Sequence, residues 1–269
     1  MCLRARSCYG TVLLILALLA TGCAGITPGI TLFSVEQEID MGRQFSREIA
    51  RQQRIIRDPM VVEYIQELGF RLTPAEAQRI YPFRFYVVDN REVNAFAVPG
   101  GHVYIHSGLI TRAENEAELA SVLAHEIGHV VLRHSNQQVS AQYGYQLIAS
   151  LLLGGNPAGW QTLAANLFGT AGLLSYSRAH ESEADLFAIQ NLYRTGYDVR
   201  AMVAFFQKLR QTQNREPDVI SRFFSSHPTT SERIARISGI ISSRPAQASP
   251  LRSTGAFLLV KERLGESGP

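Results

Sequence analysis

The sequence predicts an α+β domain, mainly helical, with a small β-sheet whose edge lies beside a helix carrying His125-Glu126-Ile127-Gly128-His129. Three observations lead there. Apolar residues recur at the helical period along most of the chain, and only residues 83–106 are dense in aromatic and β-branched side chains. That one β-rich stretch then runs into the segment that holds the two histidines.

A chain of 269 residues, 46% hydrophobic and 18% charged, is long enough to bury a sizeable core. The net charge of +3 comes without a basic run of five residues or a glycine-rich phosphate loop after a strand. Nucleic acid is therefore not expected as a partner.

Arg4 and Arg6 precede the apolar run Val12 to Ala20, and small residues lead from there to Cys23. This predicts a secretory signal peptide over residues 1–22, its apolar run too short to span a bilayer as a helix. Leu19-Ala20-Thr21-Gly22-Cys23 resembles a bacterial lipobox, with Ala20 where leucine is usual. Cleavage before Cys23 would leave it N-terminal with its thiol for diacylglyceryl attachment, and by resemblance to lipoprotein sorting Ala24, where an aspartate is absent, favours the outer membrane. Cys2 and Cys8 leave with the signal, so the remaining chain has no disulfide and no cysteine for a metal. The expected organisation is signal peptide 1–22, tether 23–33, a domain over 34–241 and a Ser/Pro-rich tail over 242–269, in a periplasm-facing, lipid-anchored protein.

Ser34 to Arg57 reads as an amphipathic helix opened by a Ser34/Gln37 capping box, with Val35, Ile39, Phe45, Ile49 and Ile56 on its apolar side. Asp58-Pro59 announces a second helix, and Thr73-Pro74-Ala75-Glu76 a shorter turn. Phe83 to Val88 reads as a strand; Asn94 to Val98 and His102 to His106 read as a hairpin around Pro99-Gly100-Gly101. Asn115 caps the motif helix. From Val139 to Tyr176 two short helices are expected, either a lid over the site or simply buried. Ser177 opens a helix that Gly196 closes, Asp198 caps the next, and a Thr229/Glu232 capping box opens one through Ile241.

Residues four apart on a helix are neighbours, so the imidazoles of His125 and His129 can converge on one ion while Glu126 stands beside it. This is the zincin arrangement, which needs a third protein donor and leaves one position to water. Glu181, 52 positions beyond His129, is the expected third ligand, and Glu183 the alternative. Asp185, one turn beyond Glu181, is placed to accept a hydrogen bond from a ligand imidazole and fix its tautomer. His134 is expected to face solvent at the helix end, and His102 and His106, alternating in a strand, to be structural.

These residues, His125 to His129 with Glu181 and Asp185 downstream and Asn94-Ala95-Phe96-Ala97 ahead of Pro99-Gly100-Gly101, resemble the gluzincin family of CAAX prenyl protease and HtpX type. Within it, the periplasmic BepA-like and LoiP-like branch is the most similar. The chain departs from the prenyl proteases and HtpX in lacking long transmembrane helices, and from BepA-like proteins in lacking tetratricopeptide repeats after the domain. The resemblance, over roughly residues 34–240, implies one Zn2+ per chain and a metalloendopeptidase for misfolded or unassembled envelope proteins, with Glu126 as general base. It further implies that Asn94, Ala95, Phe96 and Ala97 hold the substrate backbone. For His227, before Pro228, it implies an inhibitory fourth ligand or an oxyanion stabiliser; a loop histidine with neither role is the alternative. The competing function is a periplasmic chaperone or assembly factor with a latent or structural zinc site.

Overall fold

The computed structural model describes residues 31, 33–154, 158–159, 162, 176–213, 215–228 and 230–266. The expected signal peptide, Cys23, most of the tether and Thr229 lie outside these residues, as does most of the second helix expected before Tyr176.

Helix α1 (Val35–Gln52) opens as expected: the Ser34 hydroxyl accepts from the Gln37 N–H while the Gln37 side chain accepts from the Ser34 N–H. It ends five residues short of Arg57, because the chain turns extended at Gln53. Ile56, expected on the helix, instead donates its N–H to Val87 O at 2.8 Å, and Asp89 donates to Arg54 O. Asp58 caps α2 (Pro59–Leu72), accepting from the N–H groups of Met60 and Val61. Thr73 does not cap α3 (Ala75–Ile80): its hydroxyl donates back to Gly69 O and closes α2 instead.

The sheet has three strands in the order β1-β3-β2, with β1 (Arg84–Val88) parallel to β3 (His102–His106) and β2 (Ala95–Val98) antiparallel to it. Residues 54–56 pair along the outer side of β1, so β2 is the other edge. Asn94 O accepts from His106 N–H, and this sets the parity of the ladder. Phe96 and Val98 bond to β3, whereas Ala95 and Ala97 turn their backbone groups outward. A short helix α4 (Ser107–Arg112), not anticipated, separates the sheet from the motif helix.

Helix α5 (Glu116–Val131) is the centre of the molecule, buried along its length up to Val130. Its first turn is closed by the adjacent Asn115 and by groups distant in sequence. Asn115 Oδ1 accepts from Glu118 N–H, Ser253 Oγ from Glu116 N–H and Arg252 O from Ala117 N–H. The Glu116 carboxylate in turn accepts from the Thr254 N–H and from the Tyr197 hydroxyl. The stretch after Ser242, read from composition as a tail, is thus part of the packed domain. Its helix α11 (Gly255–Glu266) buries Phe257 and Val260 in the main core, with Phe257 against Tyr64.

Helix α6 (His134–Gly154) breaks its helical path at Gly144, where φ is 70°. Helix α7 (Arg178–Thr195) starts at the Ser177 cap and ends at Gly196 in the left-handed conformation. It packs closely on α5, since a Cβ on Gly128 would stand 3.0 Å from Phe187 Cδ1. Helices α8 (Arg200–Gln213), α9 (Pro217–Ser226) and α10 (Ser231–Ser242) complete the fold, with Thr230 as the observed cap of α10. Among the described residues no helix is long and apolar enough to cross a membrane.

Candidate active site

The i, i+4 spacing on α5 brings the Nε2 atoms of His125 and His129 to 3.1 Å of each other. Helix α7 adds Glu181, with Oε1 3.3 Å from His129 Nε2 and Oε2 3.6 Å from His125 Nε2. The fourth member comes from α9, a helix the sequence reading missed. Pro217 starts it, buried Phe223 anchors it, and the chain leaves at His227, whose Nδ1 lies 3.3 Å from His125 Nε2 and 2.9 Å from Glu181 Oε1. Glu183 stands apart from this cluster, with Oε2 on His134 Nε2 at 3.0 Å.

The donor set suits a tetrahedral cation. Bonds of about 2.0–2.1 Å to nitrogen and oxygen imply donor separations of about 3.3 Å, close to most of those observed. A second sign is Glu126, which is fully buried, yet neither carboxylate oxygen has a hydrogen-bond partner among the described residues. Oε1 lies 3.3 Å from His227 Nε2. A buried carboxylate left so is costly unless a water or cation completes it.

Electrostatics fit the same picture. Burial raises the pKa of Glu126, against the opposing pull of His227 and His125, and a raised carboxylate suits a proton acceptor. Burial also disfavours charge on Glu181, but His227 and His125 outweigh it and hold Glu181 well below the usual carboxylate range. Burial pushes His129 well down. The same burial at His125 is overcome by Glu181 and Asp185, which raise it to about 9.

Asp185 Oδ1 is 3.1 Å from His125 Nδ1, the face turned away from the cluster. Asp185 is itself gripped by two arginines that sequence reading overlooked. Arg233 reaches it through Nη2 at 2.6 Å and Nε at 2.9 Å, and Arg236 through Nη2 at 2.7 Å. Arg233 Nη1 also meets Glu181 Oε2 at 2.6 Å. The available signal was two arginines three apart on a helix whose other inward positions, Ile234 and Ile237, are apolar. A cavity of about 290 Å³ opens here, with Tyr176, Arg178, Glu181 and Arg233 in its wall.

His134 does not face solvent: it is fully buried, with Nδ1 3.0 Å from His129 Nδ1. Arg133, at φ 61°, turns the chain back under α5, which helical periodicity alone cannot foresee. His102 and His106 are buried in β3, His102 stacked on Tyr86 and bonded to its hydroxyl at 3.2 Å. Asn94 is buried, and neither atom of its side-chain amide has a hydrogen-bond partner among the described residues. Phe96 stacks on Tyr104, and Ala97 O accepts from Ser135 Oγ at 3.3 Å.

The model of Peptidase family M48 matches residues 59–241 of this sequence, which include His125, His129, Glu181 and His227. The chain belongs to peptidase family M48. This is a gluzincin metallopeptidase family that depends on zinc. Among M48 relatives, the chain is 37% identical over 253 residues to the Beta-barrel assembly-enhancing protease of Escherichia coli (strain K12), covering 89% of this chain and 50% of that protein. The protein of that name from Yersinia pestis is 38% identical over 220 residues, 78% of this chain and 45% of the relative. Metalloprotease YcaL of Escherichia coli (strain K12) is 32% identical over 165 residues, 60% and 63% of the two chains. The chain thus spans about half the length of the assembly-enhancing proteases it matches.

Proposed function

We propose that this M48 chain is a zinc metalloendopeptidase that hydrolyses peptide bonds of misfolded or unassembled cell-envelope proteins. One observation carries the reading: three donors from two helices surround a point beside which a fully buried carboxylate, Glu126, has no hydrogen-bond partner among the described residues. In this reading His125, His129 and Glu181 hold the zinc, and Asp185 fixes the His125 tautomer by accepting at Nδ1. When bound, zinc supplies a Lewis acid that acidifies water and polarises the scissile carbonyl. Glu126 Oε1 or Oε2 takes the proton of the attacking water and returns it to the leaving amine. The outward backbone groups of Ala95 and Ala97, with Asn94 and Phe96 beside them, would accept an extended substrate as an added strand once Ser135 Oγ releases Ala97 O and the buried edge opens.

The envelope address rests on the predicted signal peptide and on lipidation of Cys23, and the client class on the assembly-enhancing proteases to which the chain is similar. Mass spectrometry of the membrane fraction tests the anchor, since a diacylglyceryl adduct at Cys23 is the expected finding and an unmodified thiol would refute it.

Zinc content and casein hydrolysis, measured side by side for wild type, Glu126→Gln and Glu181→Ala, test the chemistry. One zinc per chain, a loaded but inactive Glu126→Gln and a depleted Glu181→Ala are expected. A wild type without zinc would overturn the reading.

A second reading is favoured by His227 standing within the donor set, 2.9 Å from Glu181. With His227 as fourth ligand the site is closed, as in structural zinc sites, and the enzyme is latent or serves as a chaperone. If latency holds, His227→Ala raises hydrolysis while zinc stays. If His227 instead stabilises the oxyanion, the same change lowers hydrolysis.

A further inference from the structure

We infer that His134 and Glu183 form a positioning relay behind His129, fixing that ring so that Nε2 faces the metal; the inference rests on the zinc reading above. His129 Nε2 points into the donor set, 3.1 Å from His125 Nε2. Its other nitrogen, Nδ1, lies 3.0 Å from His134 Nδ1. Two ring nitrogens at that distance share a bond only if one holds the proton and the other a lone pair.

A neutral His129 that offers its Nε2 lone pair to a cation has its proton on Nδ1, so it is the donor. His134 then accepts at Nδ1 and carries its own proton on Nε2. That proton has a taker, since Glu183 Oε2 is 3.0 Å away. Reversing the direction would turn a lone pair of His134 toward the carboxylate and a proton of His129 toward the metal. The carboxylate at the far end therefore sets the sense of the whole chain. Helix α7 would thus orient both motif histidines, Asp185 acting directly on His125 and Glu183 acting through His134 on His129.

The backbone is arranged for this contact. Arg133 is the one non-glycine residue with positive φ among the described residues, a conformation that β-carbons disfavour. Its guanidinium is held by Glu38 Oε2 at 2.9 Å and by Phe33 O at 2.5 Å. On its far side the His134 ring stacks on His180 with centroids 4.3 Å apart.

The test is the rate of zinc release to an excess of a chromogenic chelator, with the melting temperature of each zinc-free protein as a check on folding. His134→Phe keeps the ring stack but has no acceptor, and release should be about 10- to 100-fold faster, the usual cost of losing such a partner. His134→Asn can bring an amide oxygen near the old Nδ1 position and should recover most of that loss. Glu183→Ala removes the acceptor at the far end and, at a side chain 61% exposed, should speed release a few-fold. Release from a folded His134→Phe as slow as wild type, or no recovery with asparagine, would overturn the relay. Should His134→Phe fail to fold, Glu183→Ala decides alone, and unchanged release overturns the relay. A wild type that binds no zinc would instead remove the metal reading beneath it.

Discussion

Arg233→Met removes the guanidinium that serves two buried carboxylates, while keeping a stem of similar bulk against Phe206, whose ring centroid lies 4.8 Å from the Arg233 guanidinium carbon. Breaking a buried ion pair from one side typically costs about 3–5 kcal/mol. In the metal-free protein both acids keep some compensation, Asp185 from Arg236 at 2.7 Å and Glu181 from His227 at 2.9 Å, so a loss near about 3 kcal/mol is expected. With zinc bound, Glu181 has a new counter-charge and only the Asp185 share remains, about half as much. By the thermodynamic cycle, the folded variant then binds zinc about tenfold more tightly than wild type, since 1.4 kcal/mol is one decade. Urea unfolding followed by circular dichroism, with chelator and with saturating zinc, measures both losses. A variant that loses no more stability in chelator than in zinc, or that binds zinc more weakly, would refute the charge argument and make Arg233 an orienting group for Glu181.

Gly128→Ala gains helix propensity of about 1 kcal/mol, but its Cβ would stand 3.0 Å from Phe187 Cδ1. Overpacking of about 1–3 kcal/mol should win, lowering the melting temperature and, by parting α5 from α7, loosening zinc in a chelator titration. His102 is held down at about 4 by burial, with Arg84 and Arg43 adding to the effect. The unfolded chain therefore binds a proton first as pH falls below about 6.5, and the stability held above that pH is lost down to about 4. Its full size is at most about 3 kcal/mol, and His102→Gln should flatten the urea midpoint between pH 6.5 and 4 relative to wild type. Phe257→Ala should cost about 3–5 kcal/mol in thermal unfolding, because its ring is fully buried; a loss under about 1 kcal/mol would mean that α11 is not part of the cooperative domain.

The metal helix, the Ser34/Gln37 box, the Asp58 and Ser177 caps and the hairpin around Pro99 were legible because each depends on residues within a few positions of one another. The pairs His125/His129 and Glu181/Asp185 were each legible from helical spacing, whereas joining them across 52 positions rested on the need for a third donor and on the family resemblance. What sequence did not show was set by contacts across the chain. Ile56 left its helix to pair with Val87, and His134 was drawn inward by a left-handed Arg133. Arg233 acquired its partners only once α10 lay against α7. The Ser/Pro-rich composition beyond Ser242 suggested a tail because the groups it satisfies, Glu116 and Ala117, stand far away in sequence.

That last contact bears on the order in which the protein comes into being. Translation proceeds from the N-terminus, and Glu116 N–H waits for Ser253, 137 positions later. Until residues 252–257 emerge, the first turn of α5 has unpaired donors and the Tyr64 neighbourhood lacks Phe257. Closure over so long a separation comes late and is slow. The first turn of the helix that carries His125 and His129 is therefore completed only after residues 252–257 have been made.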